Sequence, residues 1–219
     1  ASSPSLKQES AYYKLESQWY KGYVTGDRKT LEDCIRNCES FAWDNEPDLS
    51  AYHAYVLQGM AMGKLGKVDD ARSRFETVTS INTQEEHESL HPALFALQAK
   101  AYFGQIRSLV ENDRSAEVVP IYGALTENIR GWASDFYGQG ASYWFGRGSE
   151  ESKDWGRALA AYSELAEIGG YWGIKAKARQ EKLLGMGLAK DLSPKDLFQM
   201  AEGYFGQSKH EDAIEKFQR

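Results

Sequence analysis

"YVLQGMAMGKLGKVDDARSRFETVTSINT", residues 55–83, decides the fold. Tyr55, Gly59 and Met62 recur at helical spacing, and Ala71 and Phe75 do so again after a break. The break is Gly66-Lys67, where glycine tolerates the left-handed backbone that ends a helix. Residues 55–83 therefore read as two helices turned back on each other. Gly59 and Ala71 are small, so the two backbones can close, and the pattern places them at a close helix contact. Tyr55, Met62 and Phe75 are large and fill the space between this pair and the next.

The same offsets return in "LFQMAEGYFGQSKHEDAIEKF", residues 197–217. Leu197, Met200, Ala201, Tyr204, Ala213 and Phe217 repeat them, which pairs Ala201 with Ala213 as Gly59 is paired with Ala71. A third stretch, "GASYWFGRGSEESKDWGRALAAYSELAEIGG", carries Gly146-x-Gly148, Asp154, Ala158, Tyr162, Ala166 and Gly169. Residues 8–43 and 92–128 keep the outline of a hairpin. The first has Gly26, Leu31 and Ile35 where a turn and a packing helix belong, and the second has Tyr102 and Tyr122.

Reading the 3.6-residue period along the whole chain gives helices at 8–24, 28–43, 48–65, 68–81, 92–111, 116–128, 134–147, 154–168, 173–190, 194–207 and 210–219. Alternating β-branched runs are almost missing. Connections of a few residues between so many helices imply successive antiparallel hairpins.

These residues resemble the tetratricopeptide repeat family, and the 140–170 unit is similar to Sel1-like repeats. Tyr55 and Leu197 stand where that family usually has Trp, Gln58 and Met200 where it has Leu, and Thr83 where a Pro often closes the repeat. The resemblance implies an all-α, right-handed α-solenoid of about eleven helices. Residues 1–10 are expected as a flexible N-terminal segment and 11–219 as the array, a piece of a longer chain. Phe217 lies inside the second helix of a unit, so further repeats or a second copy are expected to cover that end.

"EEHESLHPAL", residues 85–94, poses a different question, because His87-Glu88-Ser89-Leu90-His91 fits H-E-x-x-H. That zinc signature works only on a helix, where one turn brings both imidazoles to one metal. His91 precedes Pro92, which disfavours helical geometry at His91 and suits the start of the next helix. His53 and His210 fall in other units and Glu111 at the far end of the following helix, so a third ligand is not at hand. The motif reads as a solvated loop, and no metal or cofactor is expected. No G-x-S-x-G elbow or phosphate-binding G-x-x-x-x-G-K-[ST] loop occurs either.

A net charge of -6 argues against a nucleic-acid binder, which needs a basic footprint. The one cationic run, Lys175, Lys177, Arg179 and Lys182, reads as a solvated helix face interrupted by Glu181. No run of about 18 apolar residues exists to insert in a membrane. Cys34 and Cys38 lie one helical turn apart, which suits partly buried free thiols better than a disulfide. Ala1 without an initiator Met reads as a processed or trimmed start; it leans towards an extracytoplasmic bacterial location and leaves the compartment open.

The resemblance implies a non-enzymatic scaffold that binds a peptide or partner protein on the inner face of the array. That face comes from the first helix of each hairpin. It comprises His53, Val56, Met60, Gly63 and Lys64 in one unit. Tyr137, Ala141, Trp144 and Phe145 form it in another, and Phe198, Glu202 and Phe205 in the last. With few basic groups there, an apolar segment suits it better than an acidic one. The alternative is a glycan or small ligand stacked on Trp132, Trp144, Trp155 and Trp172; zinc hydrolysis is a remote third.

Overall fold

The structure is a computed structural model that describes residues 4–46, 48–82, 91–129 and 131–186. Among the described residues the chain forms nine α-helices and no strand. They are α1 (Pro4–Thr25), α2 (Arg28–Asn45), α3 (Leu49–Lys64), α4 (Val68–Thr79), α5 (His91–Glu111), α6 (Val118–Asn128), α7 (Phe136–Glu151), α8 (Trp155–Ile168) and α9 (Gly170–Gly185). Single 3-10 turns at Ser115–Glu117 and Trp132–Ser134 precede α6 and α7. The two helices expected at 194–207 and 210–219, with the Ala201–Ala213 contact, lie outside the described residues.

The chain divides into two compact units, Ala1–Asn112 and Asp113–Arg219. The division falls inside the stretch read as one hairpin, 92–128, assigning α5 to the first unit and α6 to the second.

Local chemistry sets the helix ends. At the end of α3, Gly66 takes φ +79°, its N–H donates to the Gly63 carbonyl at 3.1 Å, and Lys67 N–H donates to Met62 at 3.0 Å. These two bonds satisfy carbonyls that the last turn leaves open. The end of α7 is built alike, with Lys153 N–H on Glu150 at 3.0 Å and Asp154 N–H on Ser149 at 2.8 Å. There the left-handed residue is Lys153, at φ +59°. Asp135 caps α7 by accepting from the N–H groups of Tyr137 and Gly138 at 2.8 and 2.9 Å.

In the first unit α3 packs on α1, α2, α4 and α5. Leu15, Leu31, Cys34, Cys38, Ala54 and Leu57 form one buried cluster. The Phe75 ring lies over Gly59, and Ala71, expected at the same helix contact, is fully buried. A Cβ on Gly59 would come within 2.8 Å of the Phe75 ring, and one on Gly104 of α5 within 2.6 Å. Phe75 therefore joins α3, α4 and α5. Gln98 of α5 donates to the carbonyls of Val78, Thr79 and Ile81 at 3.0–3.4 Å, closing the end of α4.

Two boundaries differ from expectation. Helix α1 begins at Pro4, ahead of the start expected at residue 8, and Gln8 supplies an anchor: its Nε2 donates to Asn45 Oδ1 and Ser50 Oγ, each at 2.8 Å. Helix α5 begins at His91 rather than Pro92, so the proline stands in the first turn, where it costs no hydrogen bond.

In the second unit α7 packs on α6, α8 and α9. Tyr162 of α8, fully buried, lies where a Cβ on Gly146 would be 2.6 Å from its ring. Its hydroxyl donates to Glu150 Oε1 at 2.6 Å, and Arg179 Nε of α9 donates to the same oxygen at 2.9 Å.

Candidate functional site

Three residues expected to line a binding face, His53, Met60 and Lys64, lie along one side of α3. Spacings of seven and four residues put them on one stripe. Helix α1 offers the same spacing in Tyr12, Trp19 and Tyr23, and α5 in Ala96, Phe103 and Arg107. Contacts between the stripes follow that register. The rings of Tyr12 and His53 meet edge to face at 5.5 Å. Met60, Trp19 and Phe103 line one small cavity with Gly63 and Gly104. Lys64 sets its ammonium 4.7 Å from the Tyr23 ring centroid.

Side chains from α1 and α5 meet across this stripe at two places. Lys100 Nζ approaches Glu16 Oε1 at 3.5 Å. Further along, Tyr23 donates its hydroxyl to Glu111 Oε1 at 3.1 Å, and Arg107 Nε donates to that oxygen at 3.0 Å. The Arg107 guanidinium lies 4.2 Å from the Tyr23 ring centroid, and Trp19 stacks on Tyr23 at 5.4 Å. Met60 is consequently buried, at 9% exposure. The cavity around it holds about 10 Å³, no more than one water.

Beyond the Glu16–Lys100 pair the face stays open. A groove of about 290 Å³ runs between Gln8, Tyr12 and Tyr13 of α1 and Leu49, Ser50 and His53 of α3. His53 is half-buried, and its Nδ1 finds no hydrogen-bond partner among the described residues. Burial lowers its pKa from 6.5 to about 4, the positive charge of Lys100 adds to that, and Glu16 opposes it. The imidazole is therefore neutral at neutral pH.

In the second unit Tyr137 and Trp144 are both half-buried on α7. Tyr137 meets Phe136 edge to face at 5.4 Å, and Trp144 meets Tyr143 at 6.1 Å with the Arg147 guanidinium 5.7 Å from its ring. Phe145 is core: it is buried and stacks on Tyr122 at 4.1 Å. Of the four tryptophans read as a cluster, Trp172 is buried and Trp132, Trp144 and Trp155 are half-buried. Among the described residues of this unit the rings most open to solvent are Phe136 and Tyr171, 5.9 Å apart, which the sequence reading did not single out. Phe198, Glu202 and Phe205 lie outside the described residues.

The α1 and α5 side chains over the stripe were also missed. Their signal was present in the spacing shared by 12/19/23, 53/60/64 and 96/103/107, a register visible only when the helices are aligned with each other.

Among the described residues no three His, Cys, Asp or Glu side chains come together as metal ligands. His87 and Glu88 lie outside them. Cys34 and Cys38 are free and fully buried, with their sulfurs 3.9 Å apart. The contact with Cys34, and then burial, pushes the Cys38 thiol up. No described helix is long and apolar enough to cross a membrane. Comparison with known proteins finds no family model, curated protein or solved structure that matches this chain.

Proposed function

We propose that this chain is a tetratricopeptide-like scaffold without catalytic activity, binding a peptide or segment of a partner protein along the inner stripes of its helices. The observation that carries the reading is the register shared by α1, α3 and α5. Three helices present residues at the same i, i+7, i+11 positions to one face, as first helices of stacked hairpins do. The face is rich in rings, which contribute large contact area for little lost entropy. On this reading Tyr137 and Trp144 form a binding stripe of the second unit. The right-handed α-solenoid that the resemblance implies belongs to the same reading.

The test is selection of peptides from a display library against the 219-residue chain, followed by calorimetry on variants. Tyr12→Ala and Lys64→Glu are expected to weaken the selected peptides about tenfold or more. Trp43→Ala, on α2 and 82% exposed, is expected to leave them unchanged. Equal loss in all three variants, or no enriched peptide, sinks the reading.

A second reading rests on Phe136 and Tyr171, whose neighbouring solvent-exposed rings suit the face of a sugar. Quenching of Trp fluorescence by a soluble polysaccharide, lost in Tyr171→Ala, distinguishes it from peptide binding.

A further inference from the structure

We propose that the groove between Tyr13 and His53 receives the guanidinium of an arginine side chain on the partner. This deepens the peptide-binding reading and rests on it.

The walls of the groove define the chemistry. Tyr13 is 55% exposed and set at 55° to Tyr12, with ring centroids 6.2 Å apart. Tyr12 is held by ring contacts with Phe41 at 6.4 Å and with His53 at 5.5 Å. One ring is therefore open and the next is held, a surface on which a flat cation can stack.

Charge points the same way. Glu9 lines the groove and makes no ion pair among the described residues. Asp48, the N-cap of α3, makes no side-chain bond to its helix and accepts from Gln8 Nε2 at 3.3 Å. The positive end of α3 opens here and is answered by Asp48. The Glu9 carboxylate is then left over for a ligand. Lys100, the cation whose field reaches His53, is paired with Glu16 and only 10% exposed. His53 is neutral and does not repel a positive group.

An anionic side chain would meet the Glu9 carboxylate, and an aliphatic one would leave it without a partner. A guanidinium satisfies ring and carboxylate together, because it is planar and forks two N–H groups onto one carboxylate. A lysine ammonium offers only a point charge. The net charge of -6 favours approach of a basic segment.

The test titrates N-acetyl-arginine amide into the 219-residue chain and follows the ring signals of His53 by NMR, assigned with His53→Gln. The expected result is a saturable shift. N-acetyl-citrulline amide, which has the same shape without the charge, is expected to bind about fivefold more weakly or worse. Glu9→Gln and Tyr13→Ala should each weaken the arginine compound about three- to tenfold. Tyr20→Ala, on an exposed ring elsewhere on α1, should not. Equal binding of citrulline or of N-acetyl-lysine amide, indifference to Glu9→Gln, or no shift overturns the proposal. Library-selected peptides that bind this groove without arginine would sink this inference and leave the scaffold standing. Binding of the arginine compound with no selectable peptide would do the reverse.

Discussion

The ring of Phe75 occupies the space that a side chain on Gly59 would need, 2.8 Å from the ideal Cβ position. Gly104 meets the same ring from α5 at 2.6 Å, so a single aromatic side chain sets the approach of both helices. A methyl group at either glycine must displace a fully buried ring. Gly59→Ala is expected to destabilise the protein by about 1–3 kcal/mol, although alanine favours the helix by about 0.5–1 kcal/mol. Urea denaturation measures this. Because both glycines act on one ring, Gly59→Ala and Gly104→Ala should be non-additive, and Phe75→Leu should recover part of the loss. Full additivity, or a neutral Gly59→Ala, contradicts the contact.

Two helix ends use one geometry with different residues. Gly66 adopts φ +79° at the end of α3 at no steric cost, whereas Lys153 adopts φ +59° at the end of α7 against its own Cβ. Lys153→Gly is expected to raise stability by about 0.5–1 kcal/mol, and Gly66→Lys to lower it by about 1 kcal/mol or more. Thermal denaturation of both variants checks the pair. A destabilising Lys153→Gly would mean that the lysine side chain contributes more than its backbone strain costs.

What could be read in the sequence follows from where local chemistry decides. Gly26 and Gly66 announced helix ends because only glycine takes positive φ freely, and the nine described helices fell within a few residues of the periodicity. Lys153 gave no such warning, since nothing in a lysine codes for left-handed backbone. The hairpin of residues 55–83 was legible as large and small positions. The Phe75 ring shared by Gly59 and Gly104 was not, because offsets within one hairpin do not show which helix of the next hairpin meets it. The stripe His53, Met60 and Lys64 was legible on α3. Its cover by Glu16, Tyr23, Lys100 and Arg107 was not, since those contacts join residues about 40 to 90 positions apart.

His53 links the open groove to pH. Its pKa falls to about 4 in the folded chain against 6.5 in the reference state. The unfolded chain therefore takes up this proton first as pH drops. The contribution of neutral His53 is fully present above about pH 6.5 and is lost progressively down to about pH 4. The size is roughly 1–3 kcal/mol, reduced from the full linkage value because the ring is only half-buried. His53→Gln should remove this part of the acid sensitivity while leaving the carboxylate part intact. Comparing urea midpoints of the two proteins at pH 7 and pH 4.5 isolates it. Parallel curves over that range would show that His53 titrates normally.

Glu150 concentrates the electrostatics of the second unit. Its side chain is 11% exposed and belongs to α7, Tyr162 reaches it from α8 at 2.6 Å, and Arg179 from α9 at 2.9 Å. Burial first, and then the Glu150 carboxylate, pushes the Tyr162 phenol up, so it remains a donor. A carboxylate withdrawn this far from water is tolerable only while both donors hold it. Arg179→Leu leaves the charge with a single neutral donor and should cost about 2–4 kcal/mol, after allowance for the partial exposure of the arginine. Adding Glu150→Gln to Arg179→Leu should recover part of that cost, because an amide in place of the carboxylate leaves no buried charge to desolvate. Lys175→Leu, one turn earlier on an exposed part of α9, is expected to change stability by less than about 0.5 kcal/mol. Should Arg179→Leu behave like Lys175→Leu, the three-residue contact is not holding α7, α8 and α9 together.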